Sequence, residues 1–277
     1  MHILSKRPAQ PTQDGDGVNI RRVADFNFLA FDPFLMIDEL KSDDEQDFIG
    51  GFPPHPHRGI ETFTYILKGG FEHQDQMGNK KAIKAGDVQW MSTGYGVIHS
   101  EMPLADSKEG MHGFQIWLNM PAKDKLRPAR YQDSSDIPVP EFSLSQGIVK
   151  ILAGRWQLNG ESYDSPLADL AADSAIADLQ LKPNSVLNID AKQAGFLGAY
   201  LYQGSIWGAT EGEFVSLNAS QVNSIETGED GAGLLLFKGN PIKEKIAHMG
   251  PFVMNTQEEL RQAVRDYQQG RFGTINH

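Results

Sequence analysis

The sequence predicts an all-β chain, two β-barrels in tandem followed by one short C-terminal helix, and three observations lead there. At 277 residues the chain exceeds the usual single-domain size of roughly 100–200, so two units of comparable size are expected. Gly and Pro are plentiful, 28 and 15, and turn signals recur at intervals of roughly 8–12 residues, the spacing of short strands in a sandwich or barrel. Helical periodicity with caps appears once, at the end of the chain.

Residues 1–50 offer an Asp14-Gly15-Asp16-Gly17 turn, an apolar stretch from Phe26 to Leu40 broken at Asp32-Pro33, and an acidic loop from Lys41 to Asp47. These read as short strands joined by turns. From Glu61 to Leu67 the residues Thr, Phe, Thr, Tyr, Ile and Leu are strand-prone, and Lys68-Gly69-Gly70 closes that strand. Met77-Gly78-Asn79, Ala85-Gly86-Asp87 and Ser92-Thr93-Gly94-Tyr95-Gly96 mark further turns.

From Pro121 to Glu141, four prolines and many charges suit a connection between domains, which places a boundary near residue 130. Domains of 1–130 and 131–277 follow. Beyond the boundary, residues 147–155, 175–181, 185–189, 195–206 and 233–238 read again as strands, hence a second barrel. At the end, Thr256 followed by Glu259 forms a capping-box pattern. Leu260, Ala263, Val264 and Tyr267 share one helical face, and Gly270 can terminate the helix. Packing of that face onto a barrel is the expected role.

Composition excludes several function classes. With no cysteine there is no disulfide, no thiolate zinc site and no cysteine nucleophile, so any metal must be held by imidazole and oxygen ligands. The formal charge is −11, and no run of Lys and Arg is longer than two residues, as at Arg21-Arg22 and Lys80-Lys81, which argues against direct nucleic-acid contact. The N-terminus lacks the apolar run of a secretory signal, and no run of about 18 apolar residues occurs. A cytoplasmic protein without membrane contact is expected.

The chemistry concentrates in two short segments. On a strand, alternate side chains share a face, so His55 and His57 project together, as do His99 and Glu101. Two such pairs can converge on one transition-metal ion, leaving coordination positions for substrate or dioxygen. Pro54 and Pro56 stiffen the first pair. Glu61 shares the parity of His55 and His57 if no bulge intervenes, and is a substitute carboxylate ligand. The same parity sends Phe63, Tyr65 and Leu67 inward as an apolar wall, either ordinary core or the lining of an aromatic-substrate pocket. His2 and His277 are terminal, while His248 and His73 stand without a paired neighbour. His112 is a candidate to support the site without touching the ion.

Three segments carry a resemblance. Pro54-His55-Pro56-His57-Arg58-Gly59-Ile60-Glu61-Thr62, Gly86-Asp87-Val88-Gln89-Trp90-Met91 and Gly96-Val97-Ile98-His99-Ser100-Glu101-Met102-Pro103 resemble the signature of the pirin family. Gly250-Pro251-Phe252-Val253-Met254-Asn255-Thr256 is similar to that family's tail. The resemblance implies a bicupin of the cupin superfamily: a first cupin barrel that binds iron, and a second that is metal-free and structural or regulatory. Leu187–Ile206 has no histidine where a cupin ligand pair would sit. By position, the family's ligands fall on His55, His57, His99 and Glu101, which favours Glu101 over Glu61.

The resemblance further implies quercetin 2,3-dioxygenase activity, in which a flavonol and dioxygen yield a depside and carbon monoxide. Fe(II) is the expected ion, although imidazole and carboxylate also accept Mn, Co, Ni, Cu or Zn. Glu101 is the candidate general base for the substrate hydroxyl. The rival reading is a metal-dependent, redox-sensing regulatory protein that binds a protein partner. An isomerase or epimerase on the same scaffold is a third, because fold alone does not fix chemistry. Two fused barrels are compatible with a monomer.

Overall fold

The computed structural model describes residues 1–26, 29–135 and 137–275. Among them the secondary structure is almost all strand, with a single α-helix, Gln257–Gln268. Among the described residues, no helix is long and apolar enough to cross a membrane. The two compact units interleave in sequence instead of following one another. One comprises Met1–Gln10, Phe28–Pro33 and Ile137–Pro241, and the other Pro11–Asn27, Phe34–Asp136 and Ile242–His277.

That division differs from consecutive segments 1–130 and 131–277 for three physical reasons. Ile3–Pro8 pairs antiparallel with Glu213–Leu217, so the first residues complete the sheet of the unit built mainly from 137–241. Arg130–Asp133 is itself a strand, paired with Val88–Ser92, which moves the end of the first barrel past residue 130. The C-terminal helix buries Leu260 and Ala263 in a cluster with Phe252, Met254, Tyr95 and Ile98, and therefore belongs with the histidine-bearing unit.

In that unit a seven-stranded sheet runs in the order Arg130–Asp133, Val88–Ser92, Ile60–Lys68, Met111–Asn119, Phe34–Ser42, Val18–Ala24 and Gln10–Asp14. A four-stranded sheet runs Phe52–His57, Val97–Pro103, Gly70–Asp75 and Lys80–Lys84. Ile60–Lys68 is an inner strand buried along most of its length, as its β-branched and aromatic residues dictate. The turn before it requires glycine: Gly59 has φ 79°, and a Cβ there would lie 2.1 Å from the Val253 carbonyl oxygen. The helix begins as its cap pattern predicts. Thr256 Oγ1 accepts a hydrogen bond from Glu259 N, Glu259 accepts from Asn255 N, and Gly270 follows the C-cap with φ 70°.

The other unit has a sheet ordered Ile3–Pro8, Glu213–Leu217, Phe196–Ile206, Val222–Gly239, Ala175–Leu181, Gly147–Ala153 and Glu141–Leu144. Arg155–Leu158 and Val186–Asp190 extend it through the long strand Val222–Gly239. Its interior is filled by apolar side chains, among them Val149, Ile151, Trp156, Leu179, Leu201 and Leu236. Residues 137–241 contain no histidine.

Candidate metal centre

His55 and His57 lie on Phe52–His57 and His99 on Val97–Pro103, and these strands pair antiparallel with His99 opposite His55 and Val97 opposite His57. Alternation then turns all three imidazoles to one side, and one ligand nitrogen from each falls within 4.8 Å of the others. His55 is half-buried, and His57 and His99 are buried. His55 Nδ1 meets the Pro53 carbonyl oxygen at 2.8 Å, and His57 Nδ1 meets that of Pro251 at 3.4 Å. A carbonyl accepts but cannot donate, so in both rings Nδ1 carries the proton and Nε2 keeps a free lone pair.

The donor set fits a divalent transition ion. Both ring nitrogens of His99 are buried without a hydrogen-bond partner among the described residues, and each such atom costs about 1–3 kcal/mol unless something binds it. Burial, reinforced by His55, holds His57 and His99 well below the ordinary imidazole range. Neutral imidazole is the form a metal accepts.

Glu101 is buried on the same strand as His99. A bulge between His99 and Glu101 sets the latter opposite Phe52 on one side, while His73 stands opposite it on the other. Thr64 Oγ1 donates to Glu101 Oε1 at 3.2 Å and Gln115 Nε2 donates to Oε2 at 3.0 Å. Glu61 goes elsewhere: its carboxylate accepts from Trp90 Nε1 at 3.1 Å and from Arg127 Nη2 at 3.0 Å, outside both ligand clusters.

His73, set aside in the sequence for want of a paired neighbour, is brought into the centre. Its ring, His99 and Glu101 form a second group with ligand atoms within 4.8 Å of one another. His73 Nε2 bonds Asp75 Oδ2 at 3.1 Å, and its ring stacks on Tyr131. Asp75 is fixed in turn by Met77 N, Asn79 N and Asn79 Nδ2. His73 Nδ1 is buried without a hydrogen-bond partner among the described residues. The readable signal was His73-x-Asp75, an imidazole and a carboxylate on one strand face. His112 instead bonds Glu39 Oε1 at 2.9 Å, His248 stacks on Phe26, and His277 lies outside the described residues.

Beside the histidines is a cavity of about 530 Å³. Its apolar wall includes Phe26, Met36, Ile66, Phe71, Phe114 and Trp117, and His55, His57 and Glu101 reach into it. Phe63 and Tyr65 are fully buried as core, and neither they nor Leu67 line it, so of the two readings the core one holds and the pocket-lining one does not. Arg58 and Gly59 interrupt the strand between His57 and Ile60, the alternation restarts, and Thr64 and Ile66 face the cavity instead.

The C-terminal segment closes around the end of the strand Phe52–His57. Phe252 bridges Arg58 in parallel, and Val253 N donates to the Arg58 carbonyl at 3.0 Å. Arg58, fully buried, donates from Nη1 to Asp266 Oδ2 at 2.9 Å and stacks its guanidinium over Tyr95 and Phe272. Lys125 Nζ is held by the carbonyls of Gly59 and Val253 and by Asn119 Oδ1.

Comparison with known proteins agrees with this architecture. Residues 17–118 match Pirin and residues 176–273 match the Pirin C-terminal cupin domain. A Vibrio cholerae protein named "Putative quercetin 2,3-dioxygenase" is 44% identical over 96% of each chain, and a Caulobacter vibrioides pirin-like protein is 37% identical over 98% of each. The crystal structure of a quercetin 2,3-dioxygenase from Acinetobacter baumannii superposes with a TM-score of 0.88 at 25% identity, covering 99% of both chains. The two domain matches and the near full-length relatives establish that this chain belongs to the pirin family, with a pirin bicupin fold.

Proposed function

We propose that the chain is an iron-dependent dioxygenase of the quercetin 2,3-dioxygenase type, with His55, His57, His99 and Glu101 as its metal ligands. The observation that carries this reading is the meeting of the His and Glu cluster with an apolar cavity of about 530 Å³, within the size range of pockets that bury a small aromatic ligand. The names of the relatives point to the same substrate class. The ion, when bound, supplies Lewis-acid polarisation of a substrate oxygen.

The chain's own residues supply the rest. The apolar wall, with Trp117 edge-on to His57 at 5.0 Å, takes the aromatic rings and excludes water. Glu101 receives the proton of the flavonol hydroxyl, with Thr64 and Gln115 holding its two oxygens in place. Pro53 and Pro251 fix the orientation of His55 and His57. The rival role, a redox-sensing protein that binds a partner, requires no such cavity, and the cavity therefore favours the enzyme.

The test is metal analysis of protein purified without added metal, followed by oxygen uptake with quercetin for wild type and His57→Ala. Uptake proportional to bound metal and lost in His57→Ala is expected. Uptake that survives removal of the metal, or none in fully iron-loaded protein, would overturn the proposal.

A further inference from the structure

The cavity wall carries a line of polar side chains. Strand register sets Arg22 opposite Asp38, Asp38 opposite Gln115, and Gln115 opposite Thr64. Two residues to one side on the same strands, Met36 stands opposite Trp117; two to the other, Leu40 stands opposite Gly113 and Gly113 opposite Ile66. Alternation puts residues two apart on the same face, and members of all three rows line the cavity. A polar strip thus runs between two apolar tiers.

The strip is ordered at both ends. At one end Thr64 and Gln115 hold Glu101. At the other, Arg22 Nε and Nη2 grip the two oxygens of Asp38 at 2.9 and 2.8 Å. Asp38 is 5% exposed, yet borders the cavity. An ion pair that buries its carboxylate in this way is weak evidence for stability, since apolar replacements are often no worse. Each Asp38 oxygen has accepting capacity beyond its bond to Arg22. Burial also pushes its carboxyl up to about 6 against the pull of Arg22, and a hydroxyl donor would relieve that penalty.

We infer that Asp38, held by Arg22, accepts a hydrogen bond from a phenolic hydroxyl on the part of a planar aromatic ligand that lies away from Glu101, so that the site selects polyhydroxylated flavonols. This rests on the flavonol reading above. Two strand spacings separate Thr64 from Asp38, about 10 Å, the scale of a fused-ring ligand lying along the strip with its faces against the apolar tiers. Asp38 is then a specificity residue with no part in the chemical step.

The experiment is equilibrium binding without oxygen, by quenching of tryptophan fluorescence in metal-loaded protein. The probes are quercetin, 3-hydroxyflavone, and flavonols bearing one further hydroxyl on either terminal ring. Wild type is expected to bind quercetin about ten- to a hundredfold more tightly than 3-hydroxyflavone, as a hydrogen bond to a charged group provides. One singly substituted flavonol should recover most of that gain. Asp38→Asn should lose most of the preference while its affinity for 3-hydroxyflavone and its metal content stay unchanged.

Equal binding of all probes by wild type overturns the inference without any variant, and an undiminished preference in folded Asp38→Asn does so as well. Oxygen uptake without hydroxyl preference defeats this inference and leaves the dioxygenase standing. Preference without uptake does the reverse. Failure of every flavonol to bind defeats both.

Discussion

Arg58 and Asp266 meet at 2.9 Å across 208 residues of sequence, and both are buried. Arg58 directly follows His57, so this ion pair clamps the end of the strand Phe52–His57 to the C-terminal helix. Asp266 also accepts from Gln262 and Arg271. Burial raises its carboxyl, and the bonds from Gln262 and Arg58 outweigh that and hold it below the usual carboxylate range.

Breaking the clamp leaves a guanidinium buried without its charge partner. Asp266→Ala is expected to cost about 3–5 kcal/mol, measured by urea denaturation, and to weaken metal binding as well. A loss below about 1 kcal/mol would show that Arg58 finds other support.

Metal-stripped protein should lose stability in mild acid. His57 and His99 are held well below 6.5 by burial, with His55 adding to it. The unfolded chain therefore takes up protons that the folded chain refuses. The stability they contribute is complete above about pH 6.5 and falls as pH drops, by up to about 3 kcal/mol per pH unit for two such groups. Urea melts at pH 7, 6 and 5 measure this slope, and a flat profile would contradict it.

His73→Phe keeps an aromatic ring against Tyr131 but removes the free Nδ1 and the link to Asp75. Metal affinity should fall about 10- to 100-fold, as for loss of a supporting group around a metal. Competition against a chelator gives the number, and an unchanged affinity would reduce His73 to packing.

Glu101→Gln preserves the size of the side chain but not its basicity. It should retain part of the metal while turnover per bound ion drops at least about 100-fold. Full activity per ion, from oxygen uptake normalised to metal content, would remove Glu101 from proton transfer.

Asp38 gives a second pH signature of opposite sign. Its carboxyl is raised from 3.8 to about 6 by burial, so the folded chain holds a proton that the unfolded chain has released. Stability relative to Asp38→Asn should be greatest below about pH 4 and fall by roughly 3 kcal/mol as pH rises to about 6. Parallel stability curves for the two proteins would exclude it.

Much of this was legible in the sequence because it depends on local rules. Ala175–Leu181 forms the strand its composition predicts, and Thr256, Glu259 and Gly270 bound the helix through their caps. His55 and His57 converge with His99 because alternation is a property of the strand itself. What was not legible depends on partners distant in sequence or on breaks in alternation. The two residues between His57 and Ile60 inverted the parity of Phe63 and Tyr65, and no count of spacings reveals such a restart. His73 gains its place from lying opposite Glu101 on the neighbouring strand. The interleaving of the units follows from Ile3–Pro8 and the C-terminal helix each pairing with remote strands, on which composition is silent.

The segment that closes on the strand Phe52–His57 also imposes an order in time. Synthesis makes the His55–His57 strand well before Pro251 and Asp266, yet the carbonyl that orients His57 and the carboxylate that clamps Arg58 come from those later residues. The surroundings of His57 and Arg58 cannot take their finished form on the ribosome until residue 266 has emerged. Final placement of the His57 ring is therefore a late event in the life of the nascent protein, and a chain cut short before residue 251 would carry His57 without the carbonyl that orients it.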